Sequence, residues 1–329
     1  MQQAAPAPAG LTGLAETAFV PLVARALAAE RFPDIGFRDP TAEAIYGALQ
    51  LDLSAYVGGN AGMHGVIARS WMFDQIVGVF TSRHPNAQIV DLGAGLSTRF
   101  ERIDNGMMTW IDVDQAPVIA LRETLFQHTP RRRMVAADIG APDWLERLEL
   151  ASTPTLVVGE GFFAYQAPAM VEATMRDLAA AVPGRPCELA FDYVSPLLVG
   201  RPRAHPVLNR LNAARGQGGA TITYRWGARR ATDLAPDDAG WQVVRTHPVY
   251  DKIGFPYALA DRVLRLCGGG HAHAIAHLVR AAQPRPMTPP VVEAAATAAP
   301  ASRTPDAAPP RPAPRPPNRL HPAMPRRRV

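Results

Sequence analysis

The chain has 329 residues, 47% of them hydrophobic, with 34 lysines and arginines against 29 acids and a formal net charge of +5. That length suits one large α/β domain or two small ones, and the sequence lacks the run of about eighteen apolar residues that a membrane span needs. Residues 281–329 hold eight arginines against Glu293 and Asp306, so the rest is close to neutral and without the basic footprint of a nucleic-acid binder.

The N-terminal MQQAAPAPAG has no charged and apolar regions of a secretory signal, and its first ten residues are expected to be disordered. The two cysteines, Cys187 and Cys267, show no metal-ligand spacing. Free thiols and a cytoplasmic location are the expectation.

Residues 11–85 read as a helical cap. LTGLAETAFVPLVARALAAERFP has helical apolar spacing, DPTAEAIYGALQ opens on a capping-type Asp39–Thr41, and GMHGVIARSWMFDQIVGVFTSRHP ends at a proline. A core is expected over residues 86–282. There the apolar runs AQIVDLG, MTWIDVD, RRMVAAD, PTLVVGE and CELAFDYV alternate with helical stretches such as APVIALRETLFQ and PAMVEATMRDLAAAV. Continuous apolar strands separated by helices argue for a parallel, doubly wound sheet. GWQVVRTHPV and HAHAIAHLVR add two late strands around the helical PYALADRVLRLC. Residues 195–220 read as an insertion forming a lid. Residues 283–329 are rich in Pro, Ala and Arg and read as a disordered tail, with PxxP docking or an acidic partner as its candidate roles.

The stretch VDLGAGLSTRFER, residues 90–102, carries a glycine turn between a strand and a helix. A P-loop is excluded, because its lysine must reach the outer phosphates and Lys252 is the only lysine in the chain. A dinucleotide fingerprint wants a third glycine where Thr98 stands. That weakens a dinucleotide without excluding it, and a ligand without a pyrophosphate such as S-adenosylmethionine also fits: two glycines admit its methionine tail, and a helix N-terminus favours the carboxylate. Asp112 and Asp114 lie about where a ribose-binding acid belongs, a spacing that also fits a dinucleotide fold. Asp112 is expected to face away from Asp114.

The blocks IVDLGAGLSTRFER, TWIDVDQAPVIALRETLF, RRMVAADIGAPDWLERL and VVGEGFFAYQAPAMVEATM occur in one order. In that order they resemble the leucine carboxyl methyltransferase and polyketide-synthesis O-methyltransferase family, over roughly residues 36–280. The resemblance implies a class I methyltransferase fold, α/β with a mostly parallel seven-stranded sheet and a helical lid, and S-adenosylmethionine as methyl donor. It implies Arg69 for the methyl donor's carboxylate, Gly93 and Gly95 for the turn, and Asp114 for the ribose. Asp138 and Ile139 match the adenine edge, and Glu160 the acid near the amino-acid end. Ser97 stands where the family has aspartate and Gln166 where it has leucine, so hydrogen bonding in the turn and the substrate side are expected to differ.

The acceptor is expected to be a small molecule with a carboxylic or phenolic oxygen. A carboxylate is already ionised near neutrality, whereas a phenol profits from a base, for which His64 and His205 are the first candidates. Tyr165 is a candidate for the acceptor pocket and Trp144 for packing. His271, His273 and His277 share one strand face, at a spacing that suits a metal poorly. An NAD(P)-dependent oxidoreductase and a degenerate methyltransferase fold used as a scaffold are the alternatives.

Overall fold

Seven strands build one sheet, and each apolar run named above supplies one of them. In the computed structural model, which describes residues 13–49, 59–182, 184–215 and 220–280, they are β1 (Gln88–Leu92), β2 (Thr109–Asp114), β3 (Arg132–Ala136), β4 (Thr155–Gly159), β5 (Cys187–Val194), β6 (Trp241–Pro248) and β7 (His273–Arg280). The order is β3-β2-β1-β4-β5-β7-β6. Every pairing is parallel except those of β7, which runs antiparallel between β5 and β6. The expected disorder of residues 1–10 and 283–329 lies outside the described residues.

Most of the helices follow from the same reading, those at Pro206–Arg215 and Val249–Ile253 being additions to it. α1 (Phe19–Ala26), α2 (Ala28–Arg31), α3 (Pro40–Leu49) and the long α4 (Gly59–Arg83) precede the sheet. α5 (Arg99–Ile103), α6 (Ala116–Leu125) and α7 (Pro168–Ala181) lie between the parallel strands. α8 (Pro206–Arg215), α9 (Val249–Ile253) and α10 (Tyr257–Leu266) come later. Among the described residues no helix is long and apolar enough to cross a membrane.

Pleating sorts the strand side chains to two faces. On one, Val90, Ile111, Val113, Val157 and Leu189 pack with Val171, Met175 and Leu178 of α7. On the other, Ile89, Trp110, Leu156 and Ala190 pack with Phe73, Val77 and Phe80 of α4. A separate cluster joins Phe19, Leu22 and Val23 of α1 to Ile45, Ile67 and Ile119. Asp39 begins α3 as its composition suggests, Oδ1 accepting from the Ala42 N–H at 3.0 Å.

Asp112 corrects one expectation. It shares its face with Asp114 and Trp110, because residues two apart on a strand point the same way, and the Trp110 indole donates to Asp112 Oδ1 at 2.9 Å. What removes Asp112 from the strand tip is burial beneath Arg122 and Arg132, whose Nε donates to Oδ2 at 2.8 Å.

The parallel order reverses direction between β1 and β4. In open α/β sheets such a switch point leaves a crevice beyond the carboxyl ends of the strands. Gly93 follows β1 there, and Glu160 follows β4.

Candidate active site

A cavity of about 310 Å³ opens at that switch point. The glycine turn, Asp114, Asp138, Ile139 and Glu160 border it from the sheet side, Arg69 from α4, and His205, Leu208 and Leu211 from the segment around α8. Arg69, Gly93, Gly95, Asp114, Asp138, Ile139, Glu160 and Tyr165 are thus brought together around one space. His64 is not. The lining positions of α4 are Gly62, Gly65, Val66 and Arg69, a helical stripe that leaves His64 on another flank, stacked 5.0 Å from the Phe32 ring.

The turn satisfies its own backbone. The Gly93 and Ala94 N–H groups donate to Val113 O at 2.8 and 3.1 Å, and the Gly95 N–H donates to Asp114 Oδ2 at 2.7 Å. With those N–H groups committed, the loop is not an anion cradle of the phosphate kind. α5 has only five residues, so the helix-end contribution expected from the sequence is small. Gly93 and Gly95 take φ of +66° and +49°, the left-handed region that favours glycine.

The place of the missing third glycine also has a structural reason. Thr98 is fully buried, its hydroxyl donating to Asp39 Oδ2 at 2.5 Å and accepting from Arg102 Nη1 at 2.7 Å. That threonine ties the turn to α3, a task glycine cannot perform. Ser97, in place of the family's aspartate, accepts a 3.4 Å contact from the Arg99 N–H and borders the cavity. Gln166 borders it too.

Asp114 caps the tip of β2. Its Oδ1 accepts from the Gln115 N–H at 2.7 Å while Oδ2 holds Gly95. Burial raises its pKa, and those two hydrogen bonds oppose the shift. Asp138 is exposed and holds the Gly140 N–H at 3.0 Å.

Beneath the turn lies a chain of buried ion pairs. Arg25 Nε reaches Asp39 at 3.0 Å, Arg102 joins Asp39 to Asp74, and Arg99 Nε reaches Asp74 at 2.9 Å. Arg99 also binds Glu160 and Asp91. Arg69 Nε lies 3.1 Å from Glu160 Oε1, and Arg69 Nη1 lies 2.9 Å from Asp192 Oδ2. Burial would raise the Glu160 pKa, but Arg99, Arg69 and Arg25 hold it down at about 2. Burial would likewise lower that of Arg69, and Asp192 and Glu160 reverse it to a value above the usual range. Asp91 is the exception: burial pushes it up to about 6, against the pull of Arg99.

The far end of the cavity is aromatic. The Tyr165 and Tyr224 ring centroids lie 5.2 Å apart, and His205 meets Tyr224 edge-on at 5.4 Å. Burial pushes the Tyr165 hydroxyl up to about 12, so it serves as a hydrogen-bond donor at neutral pH and not as a base. Burial lowers His205 to about 4, helped by His273 and Arg69.

The histidine motif does not converge. His271 Nδ1 pairs with Asp261 at 2.8 Å, His273 Nε2 with Asp192 at 2.7 Å and His277 Nε2 with Glu188 at 2.7 Å. His273 borders the cavity. Trp144 packs in the core, its indole 3.2 Å from Asp177 Oδ2. Asp192 and Arg99 escaped the sequence reading, although an acid inside the apolar CELAFDYV was a usable signal.

Two sequence matches relate the chain to known proteins. The model of the family described as leucine carboxyl methyltransferase matches residues 18–179. The tetracenomycin polyketide synthesis O-methyltransferase TcmP of Streptomyces glaucescens is 32% identical over 209 residues, covering 63% of this chain and 76% of that protein. Among solved structures, a DUF574 family protein from Streptomyces avermitilis aligns at 19% identity and a TM-score of 0.46, over 79% of this chain and 97% of its own. Magnesium protoporphyrin IX methyltransferase from Synechocystis, solved with bound SAH, aligns at 11% identity and a TM-score of 0.41, over 79% and 99%. With the sheet order, the cavity at its switch point and these sequence matches in place, the chain belongs to the leucine carboxyl methyltransferase family of S-adenosylmethionine-dependent O-methyltransferases.

Proposed function

We infer that this enzyme methylates a carboxylic or phenolic oxygen of a small molecule of polyketide type. One observation carries the reading: a single cavity joins the glycine turn and Asp114 to the buried Arg69–Glu160 pair and then to an aromatic end. When bound, S-adenosylmethionine supplies an electrophilic methyl group on a sulfonium.

The chain's own residues hold that group and exclude water. Asp114 takes the ribose hydroxyls, its carboxylate already aimed at the turn by the Gly95 N–H. Asp138 and Ile139 border the adenine, Arg69 takes the carboxylate, and Glu160 faces the positive amino-acid end. Glu160 stays ionised there because three arginines hold its pKa down. The described parts of segments 11–85 and 195–220 supply Ala18, Pro21, Val207 and Leu208 to the cavity wall and serve as its lid. Alignment of the acceptor oxygen behind the methyl carbon is the main catalytic contribution.

Mass spectrometry tests this, with methyl-deuterated S-adenosylmethionine and a panel of aromatic polyketide acids and phenols. A three-deuteron methyl ester or ether is the expected product. Tight calorimetric binding of NAD(P) with none of S-adenosylmethionine would overturn the reading.

A further inference from the structure

The spacing of HAHAIAH gives its histidines no role, and neither His64 nor His205 is placed to act as a base. His64 lies off the cavity. His205 borders it, but its Nδ1 faces the Leu208 N–H at 3.4 Å, which places the ring proton on Nε2 and makes it a hydrogen-bond donor toward the cavity.

We propose that His273, oriented by Asp192, is the general base of this site and that its acceptor is a phenol. The proposal rests on the methyltransferase reading above and narrows it. His273 opens β7 opposite Val194 of β5 and borders the cavity, with Nε2 2.7 Å from Asp192 Oδ2. That carboxylate has two further donors: Arg69 Nη1 meets the same Oδ2 at 2.9 Å, and the Gly161 N–H meets Oδ1 at 2.5 Å. Burial would raise the Asp192 pKa, but Arg69 and His273 hold it well below the usual range, so Asp192 accepts and His273 Nε2 donates. A neutral imidazole with its proton on Nε2 keeps its lone pair on Nδ1. Among the described residues no hydrogen bond occupies that nitrogen.

The charged and titratable groups around His273 are Asp192 on β5, Arg69 on α4 and His205 ahead of α8, with Tyr165, Tyr224 and Tyr250 beyond them. Asp192 stabilises the imidazolium that forms, the orienting role of a carboxylate behind a histidine base. The surroundings also select the acceptor. Of the two arginines that border the cavity, Arg69 is assigned to the methyl donor's carboxylate and Arg25 is held by Asp39, so neither of these described lining residues is left for an acceptor carboxylate. Four tyrosines, Tyr165, Tyr224, Tyr250 and Tyr257, together with His205 suit a flat aromatic ring with a neutral hydroxyl.

In the step, the hydroxyl oxygen uses one electron pair to bond the methyl carbon as the carbon–sulfur bond breaks. The electrons of that bond stay on sulfur, leaving a neutral thioether. The phenolic proton passes to His273 Nδ1 and then to water.

The test compares wild type with His273→Gln, which retains an N–H for Asp192. Polycyclic phenols, nitrophenols already ionised at the assay pH, and polycyclic carboxylic acids serve as acceptors, at saturating methyl donor. Expected is a loss of about 100-fold or more on the un-ionised phenols, the scale of general base catalysis. On the ionised nitrophenols the loss should be under about threefold, with unchanged calorimetric affinity for S-adenosylmethionine. Equal losses on both kinds of phenol make His273 structural and overturn the proposal, as does no loss on either. Wild-type turnover of carboxylic acids alone overturns it while leaving the methyltransferase reading intact. Absence of S-adenosylmethionine binding in wild type removes that reading itself.

Discussion

Arg69 Nη1 lies 2.9 Å from Asp192 Oδ2, deep in the protein, while its Nε holds Glu160 at 3.1 Å. One guanidinium from α4 thus pins the ends of β4 and β5 together where the cavity begins. Removing it leaves the buried Asp192 without its arginine and Glu160 with Arg99 alone, and breaking a buried pair typically costs about 3–5 kcal/mol. Arg69→Ala is therefore expected to lose stability on that scale in urea melts and to bind S-adenosylmethionine at least about tenfold more weakly. Stability and affinity both unchanged would remove Arg69 from the site.

Asp114 separates binding from folding. It is the tip of β2, and its carboxylate joins the turn through the single Gly95 N–H. Asp114→Ala is expected to weaken S-adenosylmethionine at least about tenfold, or about 1.4 kcal/mol. Asp114→Asn keeps an acceptor for Gly95 and so sits between the two. Calorimetry on the three proteins gives the ranking, and an alanine variant that binds like wild type contradicts the assignment.

The buried acids have opposite pH signatures. Glu160, held down at about 2, contributes stability that is present above its unfolded value near 4.5 and is lost as pH falls toward 2. Asp91, raised from 3.8 to about 6, contributes in the other sense: its favourable state is the protonated one, lost as pH rises through about 6. Asp91→Asn should therefore gain on wild type by about 2 kcal/mol between pH 4.5 and 7.5. Urea titrations at the two pH values measure it, and a difference independent of pH contradicts the assignment.

His205 is expected to stay neutral through the physiological range, because burial brings it to about 4. Its stabilising contribution is present above about 6.5 and is lost as pH falls through about 4. A carbon-13 NMR titration of its ring should inflect near pH 4. An inflection near 6.5 would show a ring open to solvent.

Much of this fold was legible because the five parallel strands write themselves as short apolar runs; the two late runs also became strands, paired antiparallel. The glycine turn was legible because left-handed backbone singles out glycine. The ion-pair chain was not. Asp74 and Arg99 are 25 residues apart, and Arg69 and Asp192 are 123 apart, so only the crossovers of the sheet bring them together. His64 and His205 looked equivalent as isolated histidines. The angle of α4 places one outside the cavity, and the insertion before α8 carries the other to its wall. His273 could not be told from His277 by spacing, since the difference lies in which acid of β5 each one meets.

Gly93 tests whether the turn's glycine answers to ligand or to packing. Its φ of +66° strains any other residue, and a Cβ there would clash with the Phe162 ring. Backbone strain of this kind costs about 1–3 kcal/mol, and the clash adds to it. Gly93→Ala is expected to destabilise the protein even without ligand. Phe162→Ala removes the obstructing ring, so in the double variant the clash disappears while the φ strain remains. The double-mutant cycle should then show a coupling of about 1 kcal/mol or more between the two positions, with the double variant less damaged than the sum of the singles. Additivity would mean that the glycine is required by its backbone angle alone. Wild-type stability in Gly93→Ala with lost S-adenosylmethionine binding would assign the glycine to the ligand instead.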